Sequence, residues 1–339
     1  MTVVVGIDDR RWCEFVEGHT DATLFHHPAW CRVLERAYGY RPFAVALERP
    51  DGRLTAGLPL MEVRGLRGRR WLSLPFTDAC RPLSNGQDPA LAEALDAERQ
   101  RAGVRLVEIR GPITSPPGHP AARGLNHTLT LRSDPDDLLR TFSRSQVQRN
   151  ISRAVREGVR VRRSQERADL LEVFYRLHLQ TRRRHGVPIQ PRTFFEQLWE
   201  RLLAQDLGFV LVAEVDGRPA AAAVFLAWNG TLTYKFGASD PASWTRRPNH
   251  LLFWEAIRWG CEHRYATLDF GRTDFGNEGL RAFKQGWGTI ETELVYATLG
   301  ARAPALGDRR LTAALGAVIR RTPSWVCRLA GEALYRYAA

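Results

Sequence analysis

The chain has 339 residues, 44% of them hydrophobic and 25% charged, which excludes a disordered chain, a collagen and a disulfide mini-protein. At roughly 100–200 residues per domain, that length predicts two domains, each able to bury its own core. Forty-nine basic residues against thirty-seven acidic ones give a net charge of +12, which favours a polyanionic partner such as nucleic acid, a nucleotide phosphate or an anionic membrane face.

The N-terminal MTVVVGIDDRRW reaches acidic residues before any apolar core of useful length, so it does not read as a secretory signal. His27 to Tyr38 reads as an amphipathic helix, with Trp30, Val33, Leu34 and Ala37 on one stripe. From Phe43, FAVALERPDGRLTAGLPLMEV has the pattern of a hairpin: a β-rich run, an Asp-Gly-Arg turn and a second apolar run. A strand, VRLVEIRG, follows with Glu108 in it. Asp134 opens a longer helix that runs through Leu138, Leu139, Phe142, Val147, Ile151 and Ala154 to a stop at Gly158.

Phe194 to Leu203 reads as a further helix. The hairpin pattern then returns as FVLVAEVDGRPAAAAVFLAW from Phe209, followed by a helix over Leu251 to His263 and the strand ATLDFGRT with Asp269. Asp51 and Glu108 in the first half therefore have counterparts in Asp216 and Asp269, in one order and at nearly one spacing. This is a faint internal duplication of a mixed α/β unit, although DG hairpins are common enough to coincide. After Gly300 the chain is Ala/Pro-rich, then offers a basic amphipathic helix over Arg309 to Arg320 and a second from Ser324. These helices either dock on the second domain or lie on a membrane face.

Five cysteines (Cys13, Cys31, Cys80, Cys261, Cys327) are scattered with no CxxC pair and no His/Cys zinc spacing. They read as reduced thiols of a cytoplasmic protein. The longest apolar run, Pro219 to Trp228, is far short of the ~20 residues that span a bilayer. There is no Walker A loop, no GxGxxG after a strand, no HExxH and no nucleophile elbow, so metal and covalent-nucleophile enzymes lose ground. No metal or redox cofactor is expected.

Five segments in order carry a resemblance: QRNISRAVREGV, RRRHGVP, RPNHLLFWEAIRW, LDFGRTD and GLRAFKQGWG. Together the chain resembles the Fem-like branch of the GNAT acyltransferase superfamily, which includes aminoacyl-tRNA-dependent peptidyltransferases that build peptidoglycan bridges, and related exopolysaccharide and natural-product proteins. The resemblance implies an α/β fold of mixed sheets: two tandem GNAT-like domains (1–130 and 131–300) with a cleft between them for the acceptor, and a basic helical tail (301–339). It also explains the duplication. It implies an N-acyltransferase that takes an aminoacyl group from aminoacyl-tRNA to a small-molecule or peptide amine, acting as a monomer. The alternatives are an acyl-CoA-dependent N-acyltransferase of an amino sugar or small amine, and a non-catalytic RNA- or membrane-binding protein.

Ordinary GNAT enzymes hold the acyl-CoA pyrophosphate on a Gln/Arg-x-x-Gly-x-Gly/Ala turn at a helix N-terminus. Here the corresponding stretch is Arg246-Arg247-Pro248-Asn249-His250-Leu251, without the glycines and with a proline that removes a donor. Arg246, Arg247 and Asn249 remain candidates for holding the donor. Only Lys235 and Lys284 are lysines among the basic residues, and a lysine retained among so many arginines points to a need for a compact, movable charge, unless two survived by chance. Lys284, in FKQGWG beside Phe283, matches the family lysine held to steady charge as an amine attacks an aminoacyl ester.

Asp269 and Asp274 are candidate bases or amine-orienting groups, with pairing to Arg272 as the competing reading. Strand alternation puts Asp269 and Gly271 on one face, Phe270 and Arg272 on the other. Tyr234 and Lys235 match the segment beside the acceptor, and Trp30 and Asp78 lie in first-half segments of the same resemblance, with packing or capping as the plain alternative for each. Arg149, Arg153, Arg156 and Arg160 recur at helical spacing and make either a phosphate-binding band for tRNA or a solvated basic face.

Overall fold

The computed structural model describes residues 1–65, 68–113, 119–301 and 309–337. The Ala/Pro-rich stretch expected after Gly300 lies, at 302–308, outside the described residues. The chain forms two compact units, one built from Met1–Gly124, the strand residues from Glu293 and the chain end from Leu334, the other from Leu125–Thr292 and the helices up to Ala333.

The first unit opens with β1 (Thr2–Gly6), α1 (Arg10–Glu17) and α2 (Pro28–Tyr38). Pro28 starts α2 behind His27, whose ring accepts from the Ala29 amide, and Gly39 ends it at φ 73°, a left-handed turn that suits glycine. Next come β2 (Arg41–Glu48), β3 (Leu54–Gly65), β4 (Gly68–Leu72), α3 (Asp88–Arg101) and β5 (Leu106–Ile109). After β6 (His119–Thr130), whose residues from Leu125 belong to the second unit, that unit holds α4 (Pro135–Thr141), α5 (Arg149–Arg156), β7 (Arg160–Ser164), α6 (Tyr175–His185), α7 (Arg192–Arg201), β8 (Gly208–Val215), β9 (Arg218–Trp228), β10 (Thr231–Ser239), α8 (Pro248–Glu262), β11 (Thr267–Thr273) and α9 (Glu278–Gln285). The chain closes with β12 (Ile290–Gly300), α10 (Arg309–Arg321) and α11 (Ser324–Leu334).

The expected duplication is present in the strand pairing. In the first unit β2, β3 and β4 pair antiparallel and β4 then runs parallel to β5 after α3. In the second unit β8, β9 and β10 pair antiparallel and β10 runs parallel to β11 after α8. In each unit the last strand of this set takes a further antiparallel partner distant in sequence. β12 adds antiparallel to β5, with Ala297 opposite Ile109, and β6 adds antiparallel to β11, with Leu268 opposite Leu129.

Each unit has its own core. In the first, Val45, Leu58, Leu60, Val107 and Ile109 of the sheet meet Leu91 and Leu95 of α3. In the second, Phe209 and Phe225 of the sheet meet Leu252, Phe253 and Ile257 of α8, with Phe142 and Trp287 closing the cluster. Cys31, Cys80, Cys261 and Cys327 are buried, and all five cysteines are free thiols. Among the described residues no helix is long and apolar enough to cross a membrane, and no cluster of His, Cys, Asp and Glu is arranged to hold a metal.

Two expectations need correction. The helix read from Asp134 to Gly158 is broken. α4 ends at Phe142, whose backbone is extended (φ −74°, ψ 156°), and a wide helical turn over Arg144–Gln148 leads into α5. The break is stabilised by Ser143, whose hydroxyl accepts from the Gln146 amide while its own amide donates to Gly286, and by Phe142 packing edge-on to Trp287 at 5.3 Å. Both halves present their apolar residues to one core, so the helical period continues across the break. As α5 ends at Arg156, Arg160 belongs to β7 and not to the helix face of Arg149 and Arg153.

The second correction concerns β11. Its register against β6 slips between Asp269 and Gly271, which has φ 71°. This bulge ends the period-two alternation. Phe270 enters the core, while Arg272 turns to an ion pair with Asp274 at 2.6 Å.

The C-terminal helices dock on the second unit. The Arg183 Nε donates to the Thr322 carbonyl at 2.7 Å, and the Cys327 thiol donates to the Val187 carbonyl at 3.4 Å. At Gly331 the approach is so close that a Cβ would meet the Ile189 backbone.

Candidate active site

The site begins where two parallel strands part. The β10–β11 ladder runs only from Thr231 opposite Thr267 to Thr233 opposite Asp269. Past it β10 continues along β9 to Ser239, after a register shift between Tyr234 and Phe236. The side of β10 that leaves β11 faces a cavity of about 390 Å³. That volume is within the range of sites for small ligands or for the reacting end of a larger one. Ala222 and Ala223 of β9, short side chains in an alanine run, leave room on one side.

The apolar wall is aromatic. Tyr234, Phe253 and Phe283 all line the cavity, and the Tyr234 and Phe253 ring centres are 4.7 Å apart. Burial pushes the Tyr234 phenol up to about 12, so it stays protonated and can donate. Its ring lies back over its own strand, which works because residue 237 is glycine: a Cβ there would fall on the Tyr234 hydroxyl.

Much of the remaining lining is polar and cationic. α8 begins at Pro248 with no side-chain cap, and the residue before it, Arg247, sits in the left-handed region at φ 59°. The first turn of α8 thus opens into the cavity with Asn249 and His250. The helix dipole makes such a terminus favourable to negative charge. Arg247 lines the cavity too, and its Nε is buried with no hydrogen-bond partner among the described residues. From α6 come Thr181, Arg184 and His185, and from the turn Pro241–Arg246 comes Trp244. Burial holds the Arg184 guanidinium below its usual pKa.

His250 is the titratable residue that sequence reasoning passed over. Its ring stacks on Trp287 (26° between planes), meets Phe283 edge-on at 5.4 Å and has Nε2 3.4 Å from the Asn150 amide nitrogen. Burial foremost, then the Arg247 charge, push it down to about 4. The imidazole is therefore neutral at physiological pH.

Of the residues singled out in the sequence, Tyr234, Phe283, Arg247 and Asn249 come together around this cavity. Lys284 is beside them on α9 but does not line it. Only 3% exposed, it donates from Nζ to the carbonyls of Gly271 at 2.7 Å and Arg272 at 2.9 Å, tying α9 to the bulge of β11. Asp269 accepts from the Gly271 amide across the same bulge, and Asp274 pairs with Arg272 at the surface. Lys235 leans over the Phe236 ring at 5.4 Å, and Arg246 pairs with Asp216 at 2.8 Å. Arg149 is exposed on α5, and Arg153 is 3.8 Å from Glu157. In the first unit Trp30 is fully buried edge-on to Phe25, and the Asp78 carbonyl accepts from the Tyr296 hydroxyl at 2.7 Å.

Residues 141–285 match the acetyltransferase (GNAT) domain family, and that span contains every residue that lines the cavity. The lipid II:glycine glycyltransferase of Staphylococcus epidermidis is 31% identical over 99 residues, which span 27% of this chain and 24% of that relative. The crystal structure of FemX shares the fold with a TM-score of 0.68 at 16% identity, over 87% of this chain and 96% of that one. Residues 141–285 thus resemble a GNAT domain, and FemX shares the fold. A tandem GNAT protein from the clavulanic acid biosynthesis pathway has the same two-unit fold, with a TM-score of 0.53 at 12% identity over 90% of this chain and 99% of that one. Within residues 141–285 the parting of β10 from β11 and the open start of α8 together form the cavity. Arg184, Trp244 and His250, from three separate elements, complete it.

Proposed function

We propose that the protein is an amide-forming acyltransferase that moves an aminoacyl group from aminoacyl-tRNA to an amine acceptor, of the kind found on peptidoglycan precursors. The observation that carries this reading is the cavity itself, lined by the aromatic Tyr234, Phe253 and Phe283 together with Arg184, Arg247 and the first turn of α8, which has no side-chain cap. An acyl group suits the aromatic lining, and a phosphate attached to it suits the cationic lining.

In the reaction, the lone pair of the acceptor amine attacks the ester carbonyl. The new C–N bond forms, the C–O bond to the ribose breaks, and the proton shed by nitrogen leaves with the ribose oxygen or to water. The protonated Tyr234 hydroxyl is the donor placed to bind developing negative charge at the carbonyl oxygen. His250 stays uncharged, so the wall adds no further cation to repel an incoming amine. Lys284 acts by fixing the two bulge carbonyls of β11 rather than by touching substrate.

Two features favour tRNA as donor. The named function of the S. epidermidis relative is glycine transfer to lipid II, and Pro248 removes an amide donor where ordinary GNAT enzymes cradle pyrophosphate. The open start of α8 beside Arg247 supports acyl-CoA as the second reading. The deciding test incubates the protein with a panel of amines and either charged tRNA or acyl-CoA, with and without ribonuclease. Amide formation that needs intact charged tRNA is expected. Product formed from acyl-CoA alone replaces the donor, and no product from either donor ends the acyltransferase proposal.

A further inference from the structure

Trp244 is an indole left open at the cavity wall. It sits in the short turn between β10 and α8 and keeps 45% of its surface exposed. Its orientation is nevertheless fixed. The indole Nε1 donates to the Ser239 hydroxyl at 2.9 Å, and the Arg184 guanidinium lies over one face, 4.9 Å from the ring centre. A rigid aromatic face backed by a cation and turned to a cavity is how proteins hold a nucleobase.

The next polar groups along the chain suit a phosphate. The Arg247 amide donates to the Trp244 carbonyl at 3.1 Å, so the two residues are one turn apart. Arg247 brings an unsatisfied buried Nε to the same cavity, at the uncapped start of α8. Arg246 is engaged elsewhere, with Asp216.

We infer that Trp244 is a stacking platform for the adenine of an adenosine phosphate, the base lying on the indole face opposite Arg184 and the phosphate against Arg247. The assignment rests on the acyltransferase reading only for the role of that adenosine as the end of the donor. An adenosine phosphate is common to the 3′ terminus of tRNA and to coenzyme A. A purine is preferred over a pyrimidine because its larger π-surface covers more of the indole.

Binding of free nucleotides tests the platform without turnover. Titration of the full chain with AMP, followed by calorimetry, is expected to saturate, with UMP at least fivefold weaker. Trp244→Ala should weaken AMP more than tenfold and erase the preference over UMP, while Trp244→Phe should keep it within about threefold. Circular dichroism and melting of both variants check that the exposed site has been altered in a folded chain. Two further arms identify the source: coenzyme A, and an RNA hairpin ending in CCA beside the same hairpin lacking its last adenosine. Loss of hairpin affinity on removing that adenosine, or tight binding of coenzyme A, supports the platform and says which molecule carries the base. Equal AMP and UMP affinity, or no effect of Trp244→Ala on folded protein, overturns it. Normal nucleotide binding with no amide product overturns the acyltransferase reading alone.

Discussion

The Tyr234 hydroxyl occupies the space that a side chain at Gly237 would need, with Cζ of the same ring 2.8 Å from the position of that Cβ. The aromatic wall of the cavity therefore depends on a residue three places further along β10 having no side chain.

Gly237→Ala should push the tyrosine ring away from the strand and cost about 1–3 kcal/mol of stability, as for other overpacked sites. It should also reduce substrate turnover. The measurement is denaturant unfolding of Gly237→Ala in the wild-type and the Tyr234→Phe backgrounds. Because Phe lacks the hydroxyl, the cost should fall in the second background. Equal cost in both would mean that the overlap is relieved by some other movement.

Lys284→Ala and Lys284→Met both leave the Gly271 and Arg272 carbonyls without their ammonium donor. A buried acceptor that loses its partner costs about 1–3 kcal/mol, and the alanine variant adds a void. Both variants should melt several degrees below wild type, alanine lowest. An unchanged melting temperature for Lys284→Met would remove the tie between α9 and β11 from the account.

His250 makes stability depend on pH in a window set by burial. Its folded pKa is about 4, below the ordinary 6.5. The unfolded chain therefore takes up a proton first as pH falls below about 6.5, and the folded state loses stability until the buried ring also protonates near 4. The accumulated loss is about 3 kcal/mol. Urea unfolding of wild type and His250→Phe between pH 7 and 4 should show a shallower acid decline in the variant. Parallel declines would mean that other groups dominate.

A second acid-sensitive tie holds the start of the α6 region. Arg162 on β7 places its two guanidinium nitrogens 2.6 and 2.7 Å from the Asp169 carboxylate, which also accepts from Ser164. Hydrogen bonding from Arg162, foremost, holds Asp169 below its ordinary 3.8, so its contribution is complete above that value and is lost as pH drops through the lower folded pKa. Asp169→Asn should cost about 1–2 kcal/mol at pH 7, a modest sum because Arg162 is half-exposed and water screens the pair. Thermal melts at pH 7 and pH 3 should differ less for the variant than for wild type.

Much of the fold was legible in the sequence because its signals are local. The Asp51-Gly52 and Asp216-Gly217 turns mark the two hairpins, Pro28 and Gly39 bracket α2, and the apolar stripe of α8 has helical period. What escaped depends on partners far along the chain. The break at Phe142 leaves the apolar period intact and shows only through Ser143 and Gly286. The bulge at Asp269–Gly271 exists because β6 is there to slip against. The same holds for the site. Tyr234, Phe283, Arg247 and Asn249 lie in stretches with recognisable motifs. Arg184 looks like one of three arginines ending a helix, and Trp244 and His250 gain meaning only when β10, α6 and α8 meet.

The pairing of β12 with β5 bears on how the chain is made. The strands β1 to β5 are joined at β5 by β12, from residues 290–300, made long after β5 itself. An emerging nascent chain exposes one edge of β5 until β6 to β11 have also been made, so the amino-terminal half cannot settle before the carboxyl-terminal half arrives. Cutting the gene between the halves should therefore yield two fragments that aggregate when made apart and recover when produced together.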